Sequence, residues 1–157
     1  MKKLLLILTL CPLMMITSCK DNAEKANNAT ETVSKEMMLV QEIKAFNDQL
    51  PTQVDKATTL LSVSMSGEYV VYEYSVDEDD MDFGQFIEHK EDFRNNIKNY
   101  IITMSTPDSE VYAFMSLIRD TGKDLRYQYT GKKSGKATIF EFTNDDLHEM
   151  IKDFDEN

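Results

Sequence analysis

The chain alternates between stretches whose apolar residues recur every three or four positions and stretches where they recur every second one. In residues 33–50, "VSKEMMLVQEIKAFNDQL", Leu39, Ile43, Phe46 and Leu50 follow at spacings of four, three and four. That is the period of one helical face. Pro51 ends it, because its ring lacks an amide hydrogen and clashes with the preceding turn. Residues 58–66, "TTLLSVSMS", alternate instead, with Leu61, Val63 and Met65 on one side and Ser62 and Ser64 on the other. Residues 68–76, "EYVVYEYSV", alternate through Val70, Tyr72, Tyr74 and Val76, and Gly67 lies between the two runs. Two period-two runs about a short glycine turn predict a β-hairpin.

An acidic run, "DEDDMD" at 77–82, then opens a helical stripe of Phe86, Phe93, Ile97, Tyr100, Ile101 and Met104. Acids suit the positive end of a helix dipole, so one long helix over about 83–104 is expected. Ser105-Thr106-Pro107 breaks it, with Thr106 as the expected cap and Pro107 at the first helical position. Val111, Phe114, Met115 and Ile118 form the next stripe, and Gly122 is the expected stop. Residues 124–130, "DLRYQYT", and 136–143, "KATIFEFT", alternate around the turn "GKKSG". They put Leu125, Tyr127 and Tyr129, and Thr138, Phe140 and Phe142, on one face. Asn144-Asp145-Asp146 opens a last helix with Leu147, Ile151 and Phe154 inward.

The order is αββα-αββα, an α+β class in which two hairpins pair as one antiparallel sheet of about four strands with about four helices. The halves share a phrase: "VVYEYSVDEDDM" and "TIFEFTNDDL" both run aromatic-Glu-aromatic into acids that open a helix; chance likeness between acidic helix starts, which are common, is favoured over a structural repeat. Four strands make a sheet about 19 Å wide, and packed helices need about 8–10 Å each. One face holds about two helices, so the others must cover the reverse face, stack on the first pair or swing to an edge; cover of Leu60, Tyr69, Val71 and Ile139 by the 33–50 helix is the favoured arrangement. If that face stays open, Tyr69, Val71, Arg126 and Ile139 become the candidate partner patch, since apolar residues beside an arginine are what interfaces favour.

The first residues change the picture of where this domain works. Met1-Lys2-Lys3 is followed by thirteen uncharged residues, Leu4 to Ile16, and then Thr17-Ser18-Cys19. The run is short for a bilayer span, which needs about twenty apolar residues, and fits a secretory leader. Ile16-Thr17-Ser18-Cys19 resembles the bacterial lipobox. The resemblance implies a lipoprotein cut before Cys19 by signal peptidase II, with Cys19 lipidated as the new N-terminus. Lys20-Asp21 after it loosely resembles the surface-export signals of Bacteroidetes-type lipoproteins. The expected organisation is a signal peptide over 1–18, a lipidated flexible tether over 19–32 with no large apolar residue, and one α+β domain over 33–157. Cleavage leaves about 140 residues, one domain's worth. Cys19 is then the sole cysteine, so no intrachain disulfide is expected and a lipid-blocked sulfur is the safe form in an oxidising compartment. The expected location is the cell envelope, at the periplasmic or surface face of the outer membrane.

Charge narrows the partners. The chain carries 17 Lys+Arg against 28 Asp+Glu, net −11, and loss of Lys2 and Lys3 takes it to about −13. That argues against nucleic acid and against electrostatic attachment to anionic lipid; it allows a basic protein or a divalent cation, although keeping an exported protein soluble is the favoured role of the charge. Asp77, Asp79, Asp80 and Asp82 are the weak cation candidates, although Met81 and Asp82 stand where an EF-hand needs an acid and a glycine. His89 and His148 have no metal-ligand spacing. No nucleophile elbow or phosphate loop is present, so no catalytic residue, metal or cofactor is assigned. The order of "LPTQVDKATTLLSV", the "YEY" strand and the "RYQY" strand is similar to small uncharacterised domains of bacterial exported proteins, and implies no functional residue. The expectation is a non-enzymatic, envelope-anchored accessory or inhibitor-like protein binder. The alternative is a small-ligand or divalent-cation-binding lipoprotein.

Overall fold

The alternating runs become strands because each places its large side chains on one pleat face, where a helix layer can bury them. The computed structural model describes residues 23–151, with side chains at Glu31 and from residue 33 onward. Cys19, the segment 1–18, residues 19–22 of the expected tether and Phe154 lie outside the described residues. The elements are α1 (Ala23–Asn47), β1 (Thr52–Gln53), β2 (Thr58–Ser66), β3 (Tyr69–Val76), α2 (Phe83–Glu88), α3 (Lys90–Met104), α4 (Glu110–Asp120), β4 (Asp124–Gly131), β5 (Ala137–Phe142) and α5 (Asn144–Met150). The fold is α+β, with a five-stranded sheet in the order β1-β2-β3-β4-β5.

The two hairpins meet along β3 and β4, which run parallel, with Tyr69 beside Asp124 and Tyr74 beside Tyr129. The sheet is therefore mixed, not antiparallel throughout as the hairpin pattern suggested. Parallel neighbours need a crossover of a dozen or more residues, and α2, α3 and α4 supply it between Val76 and Asp124. This pairing also limits any repeat behind the shared phrase. Tyr72-Glu73-Tyr74 lies on an inner strand and Phe140-Glu141-Phe142 on an edge strand. What recurs is local: a strand with buried aromatics running into a capped helix.

A bulge in β2 changes which leucine is core. Leu60 pairs with Tyr74 and Ser62 with Glu73, so Leu61 is the extra residue. Leu60 and Val63 are buried and Leu61 is exposed, the reverse of simple alternation for the two leucines. From Val63 onward, and along β3, β4 and β5, the faces fall as the alternation predicts. Val70, Tyr72, Leu125, Tyr127, Phe140 and Phe142 line the core.

All the helices pack on that core face. Leu39 and Ile43 of α1, Phe86 of α2, Ile101 of α3, Ile118 of α4 and Leu147 of α5 join one cluster. The expectation that the 33–50 helix covers the reverse face is corrected: Phe46 of α1 lies against Tyr72 and Phe114. The helices fit because they also pack on one another, α4 against α1, α3 and α5, so not every helix needs its own width of sheet. The long 83–104 helix is broken at His89, whose backbone leaves the helical region (φ −109°, ψ 34°). The bend lets Phe83 and Phe86 face the core from α2 while Phe93, Ile97 and Ile101 do so from α3; Tyr100 is left 60% exposed. Ser109, not Thr106, caps α4, its hydroxyl accepting from the Tyr112 amide. Gly122 follows α4 with φ +69°, a left-handed stop that suits glycine.

Two further differences bear on function. α1 begins at Ala23, so residues 23–32, expected as flexible tether, are helical backbone. "AEKA" at 23–26 consists of strong helix formers, and the packed second half of α1 supplies the nucleus that an isolated peptide would lack. At its other end, Asn47 closes the sheet edge. Its side-chain amide donates to the Val63 carbonyl (2.6 Å) and accepts from the Val63 amide (2.9 Å), as a neighbouring strand would. β1 reaches only Thr59 and Leu60, so Asn47 covers β2 where β1 stops.

Candidate binding surface

The reverse face of the sheet is laid out by register. Ser64, Val71, Arg126 and Glu141 form one row across β2 to β5, and Ser62, Glu73, Gln128 and Ile139 the next. Arg126 organises the centre. Its guanidinium stacks over the Tyr69 ring (3.8 Å to the centroid) and donates through Nε (2.9 Å) and Nη2 (2.6 Å) to Glu141 Oε1. A guanidinium held flat between a ring and a carboxylate loses little further freedom on binding. Val71 is only 6% exposed beneath these neighbours, while Tyr69 and Ile139 are half-buried. Ser62 donates to Glu73 (2.6 Å), leaving carboxylates at both flanks. Of the four expected patch residues, Tyr69, Val71 and Arg126 sit together. Ile139 stands one row away, beside Gln128. None of Tyr69, Val71 or Ile139 belongs to the helix-covered core cluster.

The acidic segment is held by the turn after β4. The Glu78 carboxylate accepts from the backbone amides of Lys133 (2.6 Å) and Ser134 (2.8 Å). Lys132 lies 3.4 Å from Asp77, Lys133 pairs with Asp79, and Lys56 pairs with Asp80. Asp82 accepts from the Gly84 amide and caps α2. Hydrogen bonds from Ser134, side chain and backbone, hold the Glu78 carboxyl below its usual range, and the Asp79 amide does the same for Asp77. Gly131 makes the approach possible, since a Cβ there would lie 2.8 Å from the Glu78 carboxyl carbon. The cation candidates Asp77, Asp79, Asp80 and Asp82 are thus engaged by lysines or backbone amides. Among the described residues no group of three or more such side chains is arranged to hold a metal ion.

Beside this clasp lies an open depression of about 240 Å³ lined by Glu78, Met81, Asp82, Phe83, Gly84, Ile87 and Lys136. It is smaller than the roughly 300–1,000 Å³ of ordinary ligand sites, and both of its carboxylates already serve the clasp or the α2 cap. The core tyrosines stack as a ladder, Tyr72 on Tyr127 at 5.0 Å and Tyr74 on Tyr129 at 4.6 Å. Burial raises the pKa of Tyr72, Tyr74 and Tyr127 and pushes Tyr129 up to about 12. Such hydroxyls stay protonated at neutral pH and lack the reactivity of a general base or nucleophile. His89 and His148 are exposed.

The sequence reading missed the edge-closing Asn47 and the outer face of α1, where Val33, Met37 and Val40 are exposed. Helical spacing of these three was visible but was overshadowed by the stronger Leu39–Ile43 stripe.

The sequence matches no protein-family model and no curated protein. Solved structures share the fold. A protein of Pseudomonas aeruginosa described as secreted superposes with a TM-score of 0.57 at 12% identity, over 74% of this chain and 95% of that one. AspS, the type II secretion system pilotin of Vibrio cholerae, superposes with a TM-score of 0.50 at 12% identity, over 75% and 96%. EpsS, the corresponding pilotin of Vibrio vulnificus, has a TM-score of 0.49 at 12% identity, over 76% and 96%.

Proposed function

We propose that this chain is a lipoprotein anchored in the cell envelope through Cys19, whose domain is a non-enzymatic accessory module. In this reading it binds a protein partner on the reverse face of the sheet, at Tyr69, Arg126 and Ile139, with Val71 as the covered floor between them. The observation that carries the reading is the one-sided packing: among the described residues every helix lies on the core face, and the other face presents a pre-stacked Tyr69–Arg126 pair. Exposed Glu73 and Glu141 flank that pair, and the chain as a whole is acidic, so the fitting partner has an apolar centre and a basic rim. The fold agrees with an envelope role, since it recurs in a secreted protein and in a secretion-system pilotin. The lysine- and amide-engaged acids and the small depression favour a protein partner over a small ligand or a divalent cation.

Two measurements test this. Cys19→Ala should abolish incorporation of labelled palmitate and leave the leader uncleaved before residue 19; normal labelling would refute the anchor. A photo-crosslinking residue placed at Ile139 should give a discrete protein adduct in intact cells, lost on Arg126→Glu, while the same residue at Glu91 on α3 should not. Equal adducts from both positions, or none from Ile139, would refute the surface. Adduct formation at a probe placed at Ile87, beside the depression, would instead favour a site there.

A further inference from the structure

We propose that α1 pairs, along its outer face, with α1 of a second copy of this chain, forming a parallel two-helix stem at the membrane. The parallel sense rests on the lipid-anchor reading, which puts the N-terminus of both copies at the same surface.

The helix is longer than its body needs. Twenty-five residues at 1.5 Å each span about 37 Å. The described contacts of α1 with the body begin at Lys35, which pairs with Asp120 (3.4 Å), and Glu36, which pairs with Lys123 (2.9 Å). Leu39 and Ile43 then enter the core. About 18 Å of helix precedes Lys35 and propagates from the nucleus that the packed half of α1 provides.

The outer face supplies the seam. Val33, Met37 and Val40 are 58%, 61% and 53% exposed, on one stripe about 110° around the helix from Leu39 and Ile43. Extended toward the N-terminus, the same spacing reaches Thr30 and Ala26, so the steps from 26 to 40 are four, three, four and three. That is the seven-residue repeat of a coiled-coil seam. Its apolar weight lies at Val33, Met37 and Val40. The next seam position is Lys44, where the repeat ends as the helix settles on the sheet.

The flanks point to self-pairing. On one side of the seam lie Ser34 and Gln41, both uncharged. On the other lie Glu36 and Ile43, with Glu36 already bound to Lys123 and Ile43 buried. In a parallel pair, Glu36 of one copy faces Gln41 of the other, so two acidic chains meet there without a like-charge contact. A two-fold axis along the seam also sends the two bodies to opposite sides. Three exposed apolar residues per helix make a weak dimer in solution; confinement of both anchors to one surface raises the effective concentration.

The test is disulfide trapping in intact envelopes of the full chain, with single cysteines at Met37 and Val40 on the seam and at Glu31 and Glu42 on the opposite side. A disulfide needs Cβ atoms roughly 4 Å apart, so Met37→Cys and Val40→Cys should form homodimers at least about tenfold faster than Glu31→Cys and Glu42→Cys. Adding Met37→Glu should suppress trapping at Val40→Cys; Met37 is exposed, so the domain itself should still fold. Equal rates at all four positions, or no homodimer from the seam, would overturn the proposal, as would capture of only a different protein. The unmodified chain separates the two readings: if it alone forms a dimer on oxidation, Cys19 is unlipidated and the anchor reading fails, whereas the seam is judged by the added cysteines.

Discussion

Asn47 offers the sharpest test of how this sheet is closed. Replacing it with alanine removes both bonds to Val63 and the bond from Nδ2 to the Ile43 carbonyl (3.0 Å). Val63 is buried, so its amide and carbonyl would lose their partner where water reaches them poorly. A net hydrogen bond contributes about 1 kcal/mol, and an abandoned buried group costs about 1–3 kcal/mol. With one edge of the strand near solvent, Asn47→Ala should cost about 2–3 kcal/mol. Asn47→Asp separates geometry from chemistry. Its carboxylate still accepts from the Val63 amide, but an anionic oxygen now faces the Val63 and Ile43 carbonyls. At pH 7 it should therefore cost more than alanine. Protonation restores a donor, so the folded-state pKa of the new carboxyl lies above the unfolded value of about 3.9. The folded state then binds the proton more tightly, and the deficit should narrow as pH falls from about 7 toward 4. The alanine deficit should track wild type over the same range. Urea denaturation followed by far-UV circular dichroism measures both. An alanine cost below about 0.5 kcal/mol, or an aspartate deficit that does not vary with pH, would refute the edge-closing role.

Phe140→Ala should cost about 3–5 kcal/mol in the same denaturation assay, because Phe140 is fully buried; half-buried Phe93→Ala should cost less. The clasp over the acidic segment should open in acid: Asp77 and Glu78 have lowered pKa values, so their contribution is present above the unfolded carboxylate range near 4 and lost as pH falls through the folded values. Hydrogen exchange at the Lys133 and Ser134 amides should report it, and Gly131→Ala should speed that exchange already at neutral pH by displacing Glu78. In base the sign reverses for the core tyrosines. Their raised folded pKa values mean stability falls as pH rises above about 10, and ultraviolet titration should show Tyr72, Tyr74 and Tyr127 ionising only on unfolding.

What the sequence determined by itself was local. Period-two runs located β2 to β5, because side-chain alternation is a property of any extended chain with one buried face. Gly122, Pro51 and the Asn144 helix start could be read because they act on the residues beside them. Tyr69, Val71 and Arg126 could be placed on one face from parity alone. The tertiary structure decided everything that depends on distant partners. The direction of β4 beside β3 follows from where three intervening helices deliver the chain. The bulge at Leu61 exchanges the roles of two adjacent leucines, since a single inserted residue reverses parity without altering composition. Whether Val71 faced a helix or solvent depended on how α1 and α4 pack on each other. Asn47 and Val63 are 16 residues apart in sequence, and Glu78 and Ser134 are 56 apart; neither pair has a periodic signature. Periodicity records which face of an element is buried. It carries no information about what does the burying, and that depends on long-range packing.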